Sequence, residues 1–103
     1  LLEENPQLTA IITTNHLTAA GSIKALTQQG YRVPEDLSVI AIGFGEFANG
    51  ITPSLTALEW SSYEVSYQAT LMMTDMLRQK QLPAQQILVP PKLVIRESTK
   101  EVI

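Results

Sequence analysis

Cysteine is missing altogether, which excludes a disulfide framework, a thiolate metal site and a cysteine nucleophile. Its absence is compatible with a reducing compartment, although exported chains also lack it. The single histidine, His16, builds neither a metal site nor a catalytic triad by itself. Charged residues make up only 17% of the chain and the net charge is −3, so no overall basic footprint for nucleic acid exists. No apolar run approaches the roughly 20 residues of a membrane span. The start Leu1-Leu2-Glu3-Glu4 lacks the basic region of a signal peptide. It also lacks Met and reads as the last turn of a helix begun elsewhere, so the 103 residues are expected to be a piece of a longer protein. There is no internal repeat, nucleophile-elbow motif, phosphate-cradling glycine loop or metal-ligand spacing. Glu35-Asp36 and Glu46 are too few and too scattered to form an acid–base pair. No catalytic residue, metal or cofactor is therefore assigned.

What is present is globular: 45% of residues are hydrophobic. Residues 9–13 (TAIIT) are apolar and β-branched, predicting a buried strand. Asn15 can cap the next helix, over residues 16–29, whose Ala19, Ile23 and Leu26 share one face. Gly30 suits the position after a helix end, and Pro34 biases Val33 toward extended backbone. Residues 37–42 are almost wholly apolar, as in a strand covered on both faces. Gly43, Gly45 and Gly50 then make a permissive loop. A further strand spans residues 55–58 and ends at Trp60, and Ser61 or Ser62 can cap a helix running to about Lys80. Its apolar stripe includes Val65, Ala69, Met72, Met73 and Met76, which reads as core, and Pro83 stops it. Residues 87–89 are extended and confined by Pro90-Pro91 to an edge or a loop; residues 93–95 form the last strand. Arg96-Glu97 and Lys100-Glu101 read as a solvated tail. The order β-α-β-β-α-β predicts an α/β fold, a parallel sheet with flanking helices.

Four segments carry a resemblance. PQLTAIITTNHLTAAG (6–21) is similar to the pattern PTAIFxxND-xxAxG, and GYRVPEDLSVIAIGF (30–44) to GxxVPxDxSVxGFD. TPSLT (52–56) is similar to TPxLTT, and LVIREST (93–99) to LxxRxST. In this order they span nearly the whole chain, which resembles the C-terminal part of the effector-binding core in the lactose-repressor (LacI/GalR) family of bacterial transcription regulators. The resemblance implies a periplasmic-binding-protein-like fold, two α/β subdomains joined by three crossovers with the ligand between them. It implies that residues 1–60 and 86–103 belong to the C-terminal subdomain. Residues 61–85 would form a crossover helix of the N-terminal subdomain, and the DNA-binding helix-turn-helix would lie outside this chain. It also places part of a dimer contact on the helix 16–29 and the loop around 46–52.

The ligand-binding candidates are Asn15, Phe44, Glu46 and Trp60. Asn15 is either a helix cap or, by the resemblance, a hydrogen-bonding group in the effector pocket; an amide that donates and accepts suits a sugar hydroxyl. Where the family has Gly-Phe-Asp with an effector-binding Asp, this chain has Gly43-Phe44-Gly45, so Gly45 replaces the carboxylate. Glu46 either supplies it from one residue further on or is simply solvated. Trp60 is either core or an aromatic face for a sugar ring. His16 stands where the family usually has Asp and reads as a polar residue in the first turn. Tyr63 and Tyr67, four apart, read as packing residues.

The leading expectation is a sensing core, not an enzyme. A small-molecule effector, a sugar or sugar derivative, would shift subdomain orientation and thereby control DNA binding. The protein would be a cytoplasmic homodimer or higher oligomer with no membrane partner. The alternative is a transport-type sugar-binding protein of the same fold.

Overall fold

The structure, a computed structural model, describes residues 1–79 and 84–102, and all of these but the side chain of Phe44. In chain order come β1 (Ala10–Thr13), α1 (His16–Gln28), β2 (Ser38–Phe44), a 3-10 helix (Gly45–Gly50), β3 (Thr56–Trp60), α2 (Ser62–Arg78) and β4 (Lys92–Val94). Lys80 and Pro83, where the sequence places the end and the stop of the second helix, lie outside the described residues.

Local chemistry accounts for most of these boundaries. Asn15, in extended backbone, caps α1: its Oδ1 accepts from the Thr18 N–H at 2.7 Å. Gly30 ends that helix with φ +87°, the left-handed conformation that glycine adopts without a Cβ penalty. Residues 31–36 are clamped by the Asp36 carboxylate, which accepts from the Arg32 N–H at 2.8 Å and from its guanidinium at 2.9 and 3.1 Å. Val33-Pro34 and Thr52-Pro53 are cis peptides. β2 runs two residues further than its apolar stretch, through Gly43 and Phe44, and the permissive loop after it is a 3-10 helix. Residues 87–89 belong to no strand.

The strands form one sheet in the order β1-β2-β3-β4. β1, β2 and β3 are parallel, with Ile12 opposite Ile40 and Ile42 opposite Leu58. β4 is antiparallel to β3, with Leu58 opposite Leu93, so the expected parallel sheet carries one antiparallel edge strand. A parallel strand needs a crossover that carries the chain back over the sheet. Here the chain leaves through α2 at the carboxyl end of β3 and returns at that same end, where Lys92 pairs with Glu59.

The core lies on one face. Ala19, Ile23 and Leu26 of α1 pack against Val39, Ala41, Ala57 and Leu55, with Ala48 of the 3-10 helix. Burying an aliphatic side chain of this kind contributes about 1.5–3 kcal/mol. On the opposite face Ile40 and Ile42 are half-buried, while Ile12 and Leu93 are exposed. The expectation that residues 37–42 are covered on both faces therefore fails among the described residues, because α1 and the 3-10 helix pack on one side only. The second helix departs further: α2 has no buried residue, and Met73 and Met76 of its apolar stripe are 56% and 59% exposed. Its stripe is not core here, since α2 projects from the sheet instead of lying on it. The radius of gyration, 18.2 Å, exceeds the roughly 13 Å of a compact domain this size. Tyr63 and Tyr67 stack on one another, ring centroids 5.9 Å apart, on the exposed surface of α2.

The tail is solvated only in part: Glu97, Lys100 and Glu101 are exposed, whereas Arg96 and Thr99 are half-buried. Ser98 is fully buried; its Oγ donates to the Val39 carbonyl at 2.5 Å and accepts from the Thr56 N–H at 2.9 Å. Glu97 accepts from the Ser54 N–H and Oγ at 3.1 and 3.0 Å. Short polar side chains here close the backbone groups where β2 and β3 begin, so residues 96–99 act as a strap.

Candidate functional site

In an open α/β sheet the carboxyl ends of parallel strands form a crevice, because each chain turns away there into its connection. Here a cavity of about 640 Å³ opens at the carboxyl ends of β1, β2 and β3. Asn15 enters it after β1, Glu46 and Phe47 from the 3-10 helix after β2, and Trp60 and Ser62 from the end of β3 and the start of α2. Three of the four sequence candidates, Asn15, Glu46 and Trp60, are thus brought to one place. Phe44 ends β2 opposite Trp60 in register; its side chain lies outside the described residues.

Asn15 is a cap through Oδ1, and that role leaves its amide nitrogen as a donor at the cavity edge. Glu46 accepts from the Ser62 hydroxyl, a bond between residues far apart in sequence. That hydroxyl, helped by the Glu46 backbone N–H, holds the carboxyl below the usual range for glutamate, and the His16 imidazole adds a smaller pull in the same direction. The α2 cap is Ser61, whose Oγ accepts from the Glu64 N–H at 3.1 Å, which frees Ser62 for Glu46. Phe47, 72% exposed, lines the same cavity.

Sequence reasoning passed over Ser62 and Phe47. Ser62 looks like one of two equivalent caps until the helix start is known. Phe47 follows Glu46 in a turn rich in glycine, and an aromatic residue in such a turn was the available signal. His16 is the expected first-turn polar residue, but a buried one: it is only 8% exposed, and its Nε2 has no hydrogen-bond partner among the described residues. Its ring lies against Gly43, where a Cβ would meet Nδ1 at 3.2 Å, and Gly43 has φ +153°. A residue with a side chain at this strand end would be both crowded and strained.

Gly45 is the second tight glycine. A Cβ on it would fall into the Glu59 carboxylate, 2.5 Å from Cδ and 2.9 Å from Oε1. Glu59 is itself paired with Arg96, whose Nη1 also donates to the Leu55 carbonyl at 2.7 Å. The side chains of this pair are only 17% and 14% exposed.

A dominantly apolar crevice with a carboxylate, an amide and two aromatic residues suits a small polar ligand with an apolar face. The family described as periplasmic binding protein-like domain matches residues 1–99. The ribose operon repressor of Halalkalibacterium halodurans is 33% identical over 100 residues, covering 97% of this chain and 30% of that protein. The HTH-type transcriptional repressor PurR of Mannheimia succiniciproducens is 34% identical over 101 residues, 98% of this chain and 30% of the repressor. The crystal structure of a LacI family transcriptional regulator from Arthrobacter sp., in complex with lactose, superposes with a TM-score of 0.82 at 33% identity. That superposition covers 96% of this chain and 37% of the regulator. The chain thus spans about 30% of the length of the curated relatives it matches. Fold, motifs and relatives agree that this chain belongs to the periplasmic-binding-protein-like domain family, as LacI family regulators carry it.

Proposed function

We propose that this chain is part of the effector-sensing core of a DNA-binding transcription regulator, and that the cavity at the strand ends takes a sugar or sugar derivative. The observation that carries the reading is the convergence of Asn15, Glu46 and Trp60 on one crevice. A carboxylate accepts from two neighbouring hydroxyls, an amide donates to a third, and an indole covers the apolar face of a ring. The lactose in the Arthrobacter regulator supports the same ligand class.

In this reading residues 1–60 and 86–103 form one subdomain and residues 61–85 cross into another. The absence of buried residues in α2 supports that division, since none of its apolar stripe belongs to the core among the described residues. Effector bound between the subdomains favours one orientation, and the difference in affinity between the two orientations sets the change in operator binding. DNA contact is made by a domain outside these residues. The regulator is a cytoplasmic homodimer, and no catalytic step is assigned to it.

The test is a thermal-shift screen of the full-length protein against sugars and sugar phosphates. A ligand at 100 times its Kd stabilises the folded state by about 2.7 kcal/mol. Asn15→Ala, Glu46→Ala and Trp60→Ala should each weaken the hit at least tenfold. A hit that survives all three substitutions unchanged would place the effector elsewhere.

A further inference from the structure

We propose that Glu59, held by Arg96, is a positioning residue for the candidate site. Its carboxylate fills the space of a side chain at Gly45 and so sets the turn that presents Glu46 to the cavity.

The geometry runs outward from the sheet. Arg96 is fixed at β3 by three bonds: its N–H donates to Thr56 Oγ1 at 2.8 Å, its carbonyl accepts from that hydroxyl at 3.2 Å, and its Nη1 donates to the Leu55 carbonyl. The same Nη1 donates to Glu59 Oε1. Glu59 stands opposite Gly43 in the register of β2 and β3, and its carboxylate reaches past that residue to Gly45. Because Arg96 anchors it and both side chains are largely buried, this carboxylate is not a flexible end that swings aside. Only a glycine closes the chain over it. The 3-10 helix begins at that glycine, and its next residue, Glu46, meets the Ser62 hydroxyl. The site carboxylate therefore comes from residue 46 because Glu59 occupies the place of one at residue 45.

This inference rests on the reading of the cavity as an effector site, but its test needs no effector. In the full-length protein, the melting temperature is measured for wild type, Gly45→Ala, Glu59→Ala and the double variant. In parallel, the Glu46 carboxyl is titrated by carbon NMR in wild type, Glu59→Ala and Glu59→Gln. Gly45→Ala should lower the melting temperature with Glu59 present, and less than half as much in the Glu59→Ala background. Glu46 should titrate below the ordinary glutamate value of about 4.3 in wild type and in Glu59→Gln, which keeps the shape and the Arg96 bond. It should return to about that value in Glu59→Ala. Should Glu59→Ala fail to fold, Glu59→Asp, which withdraws the carboxylate by one carbon, takes its place in both arms. An equal cost of Gly45→Ala in both backgrounds, or a Glu46 titration unmoved by losing Glu59, overturns the proposal. Neither result bears on whether sugars bind, and a screen without hits leaves both readouts intact.

Discussion

Ser98 shows how much a single hydroxyl decides when no water can replace its partners. Its Oγ joins the Val39 carbonyl to the Thr56 N–H, at a point where neither the residue nor the bond is exposed. Removing it strands a buried donor, so Ser98→Ala is expected to cost about 1–3 kcal/mol in denaturant unfolding. Nothing in the string Arg96-Glu97-Ser98-Thr99 distinguishes such a strap from a solvated tail, because both are short and polar. Asn15 is the opposite case. A lone Asn before an apolar helix declares itself as a cap, and the structure agrees. Whether it also binds ligand is separable by substitution. Asp caps as well as Asn but carries no amide donor. Asn15→Asp is expected to keep the melting temperature of the free protein and to weaken effector binding; Asn15→Ala is expected to lose about 0.5–2 kcal/mol of stability as well. Equal binding by Asn15→Asp and wild type would reduce Asn15 to a cap. Gly43 offers a third residue-scale outcome: Gly43→Ala meets both a positive φ and the His16 ring, and about 1–3 kcal/mol should be lost.

At the scale of elements, α1 and β2 were legible because one residue's neighbours in sequence are also its neighbours in the fold. Ala19, Ile23 and Leu26 line one helical face, and Gly30 stops the helix, without any help from distant residues. The connection to β2 is local too, and it carries a pH signature. The Arg32 side chain and backbone N–H hold the Asp36 carboxyl down to about 2, against an ordinary 3.8. Because the folded value is the lower one, the carboxylate's contribution is complete above the ordinary value and is lost as pH falls toward 2. The pair is exposed and water screens it, so the effect is modest. Thermal unfolding between pH 5 and 2 should show a shallower acid decline in Asp36→Asn than in wild type; identical declines would assign the acid sensitivity elsewhere. Strand direction was not local. The alternation of strands and helices predicted a parallel sheet, which holds for β1, β2 and β3, but the direction of β4 depends on which end of the sheet the chain returns to, and that is set by where α2 goes.

For the whole molecule, one helix is packed and one is not. α1 lies on the sheet, whereas α2 carries an exposed apolar stripe away from it. An isolated helix of this length holds little stability of its own. Hydrogen exchange on residues 1–103 alone should therefore find α2 amides far less protected than those of α1, and in the full-length protein the two should be comparable. Slow exchange of α2 in the short chain would mean that it packs against something within these residues. The amino-acid sequence by itself determined the fold class, most element positions and the family resemblance, and it nominated three residues that line the cavity. These depend on periodicity, caps and motifs, which are short-range and survive being read one residue at a time. Only the tertiary structure decided that β4 reverses, that α2 stands off the sheet, that Ser62 reaches Glu46, and that Glu59 fills the space at Gly45. Each of these turns on a contact between side chains or strand ends far apart in the chain, and which distant groups meet is a property of packing rather than of pattern.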